Sequence, residues 1–225
     1  PTCQWRRSVK LFRQNYECFK WIKNKYPGCR FVFLTLTVRN VSIDSLAPRL
    51  ADMSAAWNRF TQRRDFKALG LLGWLRVLEI TRSFSSGTYH PHFHVVLVVP
   101  AGCWLPDHAW WLRCWQLAAR DASIMFVNLR VVDGSKSSIE EVSKYVVKDS
   151  DFAGSAWVPE FPKLYKALAH VRCFSPSGCW RDARRALGFV DPDADMLTDD
   201  VSTSGRIKDF VYLYNFRMFA CVGFH

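Results

Sequence analysis

The chain has 225 residues, 49% of them apolar, which suffices for one large domain or for a domain with an appendage. Lys and Arg number 31 against 20 Asp and Glu, a formal charge of +11 that favours a polyanionic partner, because each cation set against a phosphate releases a condensed counterion. No apolar run reaches spanning length and no signal-peptide pattern is present, so a membrane partner is set aside and nucleic acid is favoured.

Trp5, Val9, Phe12, Tyr16, Phe19 and Ile22 recur at three- and four-residue steps and predict a helix over residues 5–26, ended by Pro27-Gly28. Residues 31–38 (FVFLTLTV) read as a buried strand. A helix follows over 44–66, with Asp44 or Ser45 as its cap and Leu46, Leu50, Met53, Trp57 and Phe60 as its apolar stripe. Residues 74–81 form a second strand, Ser85-Ser86-Gly87 a turn, and 91–99 the returning strand of a hairpin. Beyond it come a tryptophan-rich helix over 106–120, a fourth strand over 124–132 and a helix over 138–149. The order β-α-β-β-α-β plus a helix predicts an α+β, ferredoxin-like fold: an antiparallel sheet of four to five strands with helices mainly on one face.

A connector over 150–160 divides the chain into residues 1–151 and a basic, helical extension over 152–225. That extension is expected as two short helices broken by Ser175-Pro176-Ser177-Gly178, an acidic stretch over 191–200 and an aromatic tail. Asp191, Asp193, Asp195 and Asp199 imitate calcium-loop spacing. Met196 stands where the sharp turn needs glycine and Ser202 where a bidentate glutamate belongs, so the stretch reads as an acidic linker. Eight cysteines without a C-x-x-C pair read as reduced thiols of a cytoplasmic protein. The chain opens at Pro1, so an upstream segment is expected.

The chemistry concentrates in His90-Pro91-His92-Phe93-His94. Side chains alternate along a strand, so His92 and His94 share a face and can grip one metal ion. If the hairpin turns near Ser85-Ser86, Glu79 falls opposite His92 and completes a two-histidine, one-carboxylate set with open positions. Mixed nitrogen and oxygen donors suit Mg²⁺ or Mn²⁺, Zn²⁺ being a further occupant, and His90 has the parity to replace or supplement Glu79. Farther on, Tyr145 shares a helix face with Glu141 and Lys148. Tyr145 is the candidate nucleophile against a metal-held phosphodiester, Lys148 a phosphate or phenolate partner, and Glu141 a proton acceptor for a later hydroxyl. Thr35 and Thr37 lie on the neighbouring strand, placed at the site by face alone. Arg6-Arg7, Arg63-Arg64, Arg82, Arg172, Arg181 and Arg184-Arg185 are candidate phosphate contacts, whereas Trp104, Trp110, Trp111 and Trp115 read as core at helical spacing.

FLTLT (Phe33 to Thr37), HPHFHV (His90 to Val95) and KYVVKDSD (Lys144 to Asp151) occur in that order. Together they resemble the motifs of rolling-circle plasmid replication initiators (Rep proteins), within the HUH endonuclease superfamily. The resemblance extends more loosely to about residue 190 through Gly178-Cys179-Trp180-Arg181, and Pro1-Thr2-Cys3 resembles the remnant of a Cys-Pro-x-Cys element. It implies an HUH-type fold and a metal-dependent single-strand nicking and joining enzyme. His92 and His94 then match the superfamily's metal ligands, Glu79 its polar third ligand, and Tyr145 its nucleophile. Lys148 matches the lysine of the tyrosine motif, and Glu141 the glutamate that some members use in termination. The implied partners are plasmid origin DNA, single-stranded or hairpin at the nick, and a host helicase and polymerase; the oligomeric state stays open. Two other readings stand beside this one: an HUH relaxase or transposase, and a non-catalytic DNA-binding module with a structural metal.

Overall fold

The computed structural model describes residues 2–83, 85–132, 160–169 and 171–190. The expected helix over 138–149, with Glu141, Tyr145 and Lys148, lies outside the described residues, as do the acidic stretch and the aromatic tail. Helix α1 (Thr2–Lys25) leads into β1 (Arg30–Thr37). A 3₁₀ turn (Ile43–Ser45) precedes α2 (Leu46–Gln62), and a short α3 (Arg64–Lys67) leads to the hairpin of β2 (Gly73–Arg82) and β3 (Tyr89–Val99). Then follow α4 (His108–Ala119), β4 (Val127–Val132), α5 (Phe161–Leu168), β5 (Phe174–Gly178) and α6 (Cys179–Ala186).

The strands form one sheet in the order β4-β1-β3-β2-β5, antiparallel throughout. Its first four strands have the ferredoxin-like order expected from the sequence, with β5 added beyond β2. Ser175-Pro176-Ser177-Gly178 separates two short helices, as expected, but it does so as part of β5 rather than as a turn. Proline fits there because an edge strand can spare an N–H. Pairing also requires Gly73 and Gly178 to face each other. A Cβ on Gly178 would meet the Leu72 carbonyl at 2.3 Å, and its φ of 52° with ψ of −131° is open to glycine alone.

One sheet face carries Val32, Leu34, Leu36, Leu78, Ile80, Phe93, Val95 and Leu97 against α2 to α5. The expected stripe of α2, Leu46, Leu50, Met53, Trp57 and Phe60, is buried here. So are Trp111 and Trp115 of α4, whose indole N–H groups donate to the carbonyls of Pro106 and Thr37. Asp107 caps α4 by accepting from the Trp110 amide at 2.9 Å, and His108 donates to the Val127 carbonyl at 2.7 Å, fixing the helix to β4. Ser45 occupies the cap position of α2 without a side-chain capping bond. On the opposite face α1 and α6 cover Phe31, Phe33, Leu75, Val77, Val96 and Val98 through Cys18, Phe19, Ile22, Trp180 and Ala183. No described helix is long and apolar enough to cross a membrane.

The six cysteines whose side chains are described take part in no disulfide, as expected. Burial pushes Cys18 and Cys179 up to about 12, and Cys114, also buried and beside Asp65, up to about 11. A raised folded-state value favours the neutral thiol, so this stabilisation is complete below the unfolded value near 9 and is lost as the pH climbs toward 12. Iodoacetamide at pH 8 should accordingly leave Cys18, Cys114 and Cys179 unlabelled in the native protein, and peptide mapping should show them labelled once urea unfolds it. In urea melts, Gly178→Ala should cost about 1–3 kcal/mol, against about 1 kcal/mol for Gly70→Ala, which shares a positive φ but has nothing within 4 Å of a new Cβ. Equal costs would show that the β2–β5 edge is not tightly packed.

Candidate metal centre

The face under α1 and α6 changes character along the strands. On β3 the side chains facing it run Val98, Val96, His94, His92, His90, while β2 offers Leu75, Val77, Glu79 and β1 offers Phe31, Phe33, Thr35, Thr37. Cross-strand register turns these series into rows: Thr35, His94 and Val77 lie in one row, and Thr37, His92 and Glu79 in the next. The hairpin thus pairs Glu79 with His92, as the turn position predicted.

Glu79, His92 and His94 converge with ligand atoms all within 4.8 Å of one another. Glu79 Oε2 is 2.6 Å from His94 Nε2 and 3.4 Å from His92 Nε2, and the two Nε2 atoms are 3.1 Å apart. All three residues are buried, Glu79 at 2% exposure and each histidine at 8%. A buried carboxylate needs a compensating charge or proton donor. His92 Nδ1 lies 3.2 Å from the His90 carbonyl, which can only accept, so Nδ1–H donates there and Nε2 is the ring nitrogen turned toward Glu79, where its lone pair can serve a metal. A cation placed between that lone pair and the carboxylate would satisfy both. The donors stand about 3 Å apart, the spacing expected on one ion with bonds of roughly 2.1 Å. The donor set therefore fits a metal.

Support from outside the donor set comes from β1. Thr35 Oγ1 is 3.2 Å from His94 Nδ1, so accepting its proton frees Nε2 for a metal. Thr37 Oγ1 donates to the Phe126 carbonyl at 2.7 Å, tying the adjacent row to the start of β4. His90 shares the parity of the ligands but lies outside the cluster. Its ring centre is 5.2 Å from that of His92, its carbonyl orients His92, and burial, then the neighbouring His92, lower its own pKa.

Tyr89, close in sequence, points to the other face and donates to Glu160 at 2.7 Å. Burial and that carboxylate push it up to about 12, and it faces away from the metal centre. Arg82 is held by the same Glu160 at 3.1 Å and Arg63 by Asp65 at 2.7 Å, while Arg184 is buried beside Phe174 and Phe189. Of the candidate phosphate contacts these three have partners within the protein. The Glu160 clasp had no sequence signal, because 78 residues separate Glu160 from Arg82.

Isothermal titration with Mn²⁺ should show one site in the wild type and none in Glu79→Gln or His94→Ala. Thr35→Val should retain the site with affinity reduced about 10- to 100-fold. Unchanged Mn²⁺ binding by Glu79→Gln would remove the carboxylate from the centre.

A family model described as Replication protein matches residues 1–218. A protein named "Protein rep" from Bacillus amyloliquefaciens is 34% identical over 243 aligned residues, covering 94% of this chain and 71% of its own length. Proteins of the same name from Bacillus sp and from Streptococcus pneumoniae serotype 2 are each 31% identical, over 88% and 96% of this chain and 72% and 71% of theirs. No solved structure gives a significant match. The chain belongs to this family of replication proteins, the plasmid replication initiators whose motifs it resembles.

Proposed function

We propose that the protein initiates rolling-circle plasmid replication by nicking and rejoining one DNA strand through a covalent phosphotyrosine. The observation that carries this reading is the convergence of His92, His94 and Glu79 on one point of the sheet. Three protein donors leave room in the coordination sphere for phosphate oxygens, whereas a structural zinc site is closed by four; the cluster holds three among the described residues. That difference favours an enzyme over a binding module with a structural metal.

A divalent cation, Mg²⁺ or Mn²⁺, held at His92, His94 and Glu79 would polarise the scissile phosphate and stabilise the charge that develops on it. Tyr145 is the nucleophile. Its phenol oxygen bonds to phosphorus as the bond from phosphorus to the 3′-oxygen breaks, and the proton lost by the phenol is balanced by one gained at the 3′-oxygen. The products are a 5′-phosphotyrosine and a free 3′-OH that primes synthesis. A free phenol, with a pKa of roughly 10, is a weak nucleophile near neutral pH, so Lys148 serves by favouring phenolate or by holding a phosphate oxygen. Glu141 accepts a proton from the water or hydroxyl that later reverses the adduct.

The residues of the chemistry are assigned within 1–151, and residues 152–225 are read as the basic extension that adds β5 and α6 to their sheet. The protein acts in the cytoplasm on plasmid origin DNA presented as a single strand or extruded hairpin, handing the 3′-end to a host helicase and polymerase.

Denaturing gels of single-stranded oligonucleotides tiled across the origin provide the test. The wild type should cleave one tile with Mn²⁺, not with EDTA, and retain a covalent protein–DNA band. Tyr145→Phe should form no such band while binding the same tile. An adduct that survives Tyr145→Phe would place the nucleophile elsewhere, and tight binding without cleavage of any tile would return the site to a structural role.

A further inference from the structure

Strand β4 alternates apolar and polar side chains from Val127 to Arg130. Val127 and Leu129 face the core under α2 to α5. Asn128 pairs with Thr35 and therefore shares the face of the metal centre, and Arg130 lies on that face with its guanidinium carbon 4.8 Å from the Phe33 ring centre. Extended by one residue, the same alternation places Phe126 beside Thr37, and the hydrogen bond from Thr37 Oγ1 to the Phe126 carbonyl holds it there. Phe126 thus continues the row of Thr37, His92 and Glu79, two strand spacings or roughly 10 Å from His92. Phe126 is 55% exposed, next to the exposed Met125 and the buried Val127.

We propose that Phe126, Asn128 and Arg130 form a track for single-stranded DNA along β4, with Phe126 stacking on the base beside the scissile phosphate. The inference rests on the nicking reading above and adds where the strand lies. Each member has the chemistry the ligand needs: a π-face for a base, an amide for a base edge or sugar, and a cation in line for a phosphate. The ligand is a single strand, because a paired base cannot offer its face to Phe126. Tyr165, at 68% exposure, belongs to α5 on the other face of the sheet, and Trp104, at 77%, sits with Arg30 and Val131 at the opposite end of β1 and β4. Seven residues of strand, roughly 23 Å, separate that end from Thr37, too far for contact with the nucleotide at the metal.

The test measures fluorescence anisotropy of origin oligonucleotides in EDTA, so that cleavage plays no part. Phe126→Ala should raise Kd about 5- to 150-fold, Phe126→Leu similarly, and Phe126→Trp little, with Mn²⁺ affinity of all three unchanged. Removing single bases supplies the discriminating arm. One abasic position beside the nick should weaken wild-type binding and leave Phe126→Ala and Phe126→Leu indifferent. Wild-type affinity in Phe126→Ala, or a loss equally large for intact strands and for every abasic strand, would overturn the track while leaving the nicking reading intact. Failure of the wild type to bind any single strand would overturn both.

Discussion

The register of three strands is the constraint on which the site depends. Thr37, His92 and Glu79 are neighbours only because β1, β3 and β2 pair as they do, and side chains alternate with a period of two. A slip of one residue in β3 would carry both histidines to the opposite face and bring Phe93 and Val95 to this one. The opposite face makes that slip costly. There Phe93 packs against Trp57 and Trp115, and Arg76 lies 4.4 Å from the Phe93 ring centre with its guanidinium donating to the Arg172 carbonyl. A tight aromatic core on one side of the sheet thus indexes a polar site on the other.

The site face is divided rather than uniform. Where β1, β2 and β3 present Phe33, Leu75 and Val96, helices α1 and α6 cover them, and where the same strands turn to Thr35, Glu79 and His94 the apolar cover gives way to donors and acceptors. Burying a carboxylate is expensive unless it meets a cation or a proton. Glu79 is fully buried facing two imidazole nitrogens, and the half-buried Glu160 meets Arg82 and the Tyr89 hydroxyl. The second clasp joins the hairpin to the start of α5, so the strands that carry the histidines are braced on the side away from them.

The convergence of the candidate donors was legible because alternation and hairpin pairing are local rules. His92 and His94 follow from the period of a strand, Glu79 from the position of a turn, and Thr35 from the parity of FLTLT. The tryptophans of α4 followed equally directly from helical spacing, except Trp104, which precedes the helix and lies exposed. Strand β5 was not legible, because Ser-Pro-Ser-Gly carries turn chemistry and becomes a strand only through an edge pairing that two facing glycines permit. Arg184 misled for a similar reason: a basic pair ordinarily marks a solvated surface, and only the packing of Phe174 and Phe189 around it buries it. In each case the deciding partner is distant in sequence.

The packing of α1 against α6 sets an order in time. Helix α1 ends at Lys25 and α6 starts at Cys179, yet both close over the same apolar half of the sheet. At ribosomal speeds of about 5–20 residues per second, on the order of ten seconds pass between synthesis of the first and of the second. During that interval Phe31, Phe33, Val96 and Val98 lack part of their final cover, and β2 lacks its edge partner. The hairpin that carries the histidines can pair long before the layer above it is complete. Competence is therefore acquired late, and the nascent chain, exposing an apolar half-face and an open strand edge, is where this protein is most vulnerable to misassociation.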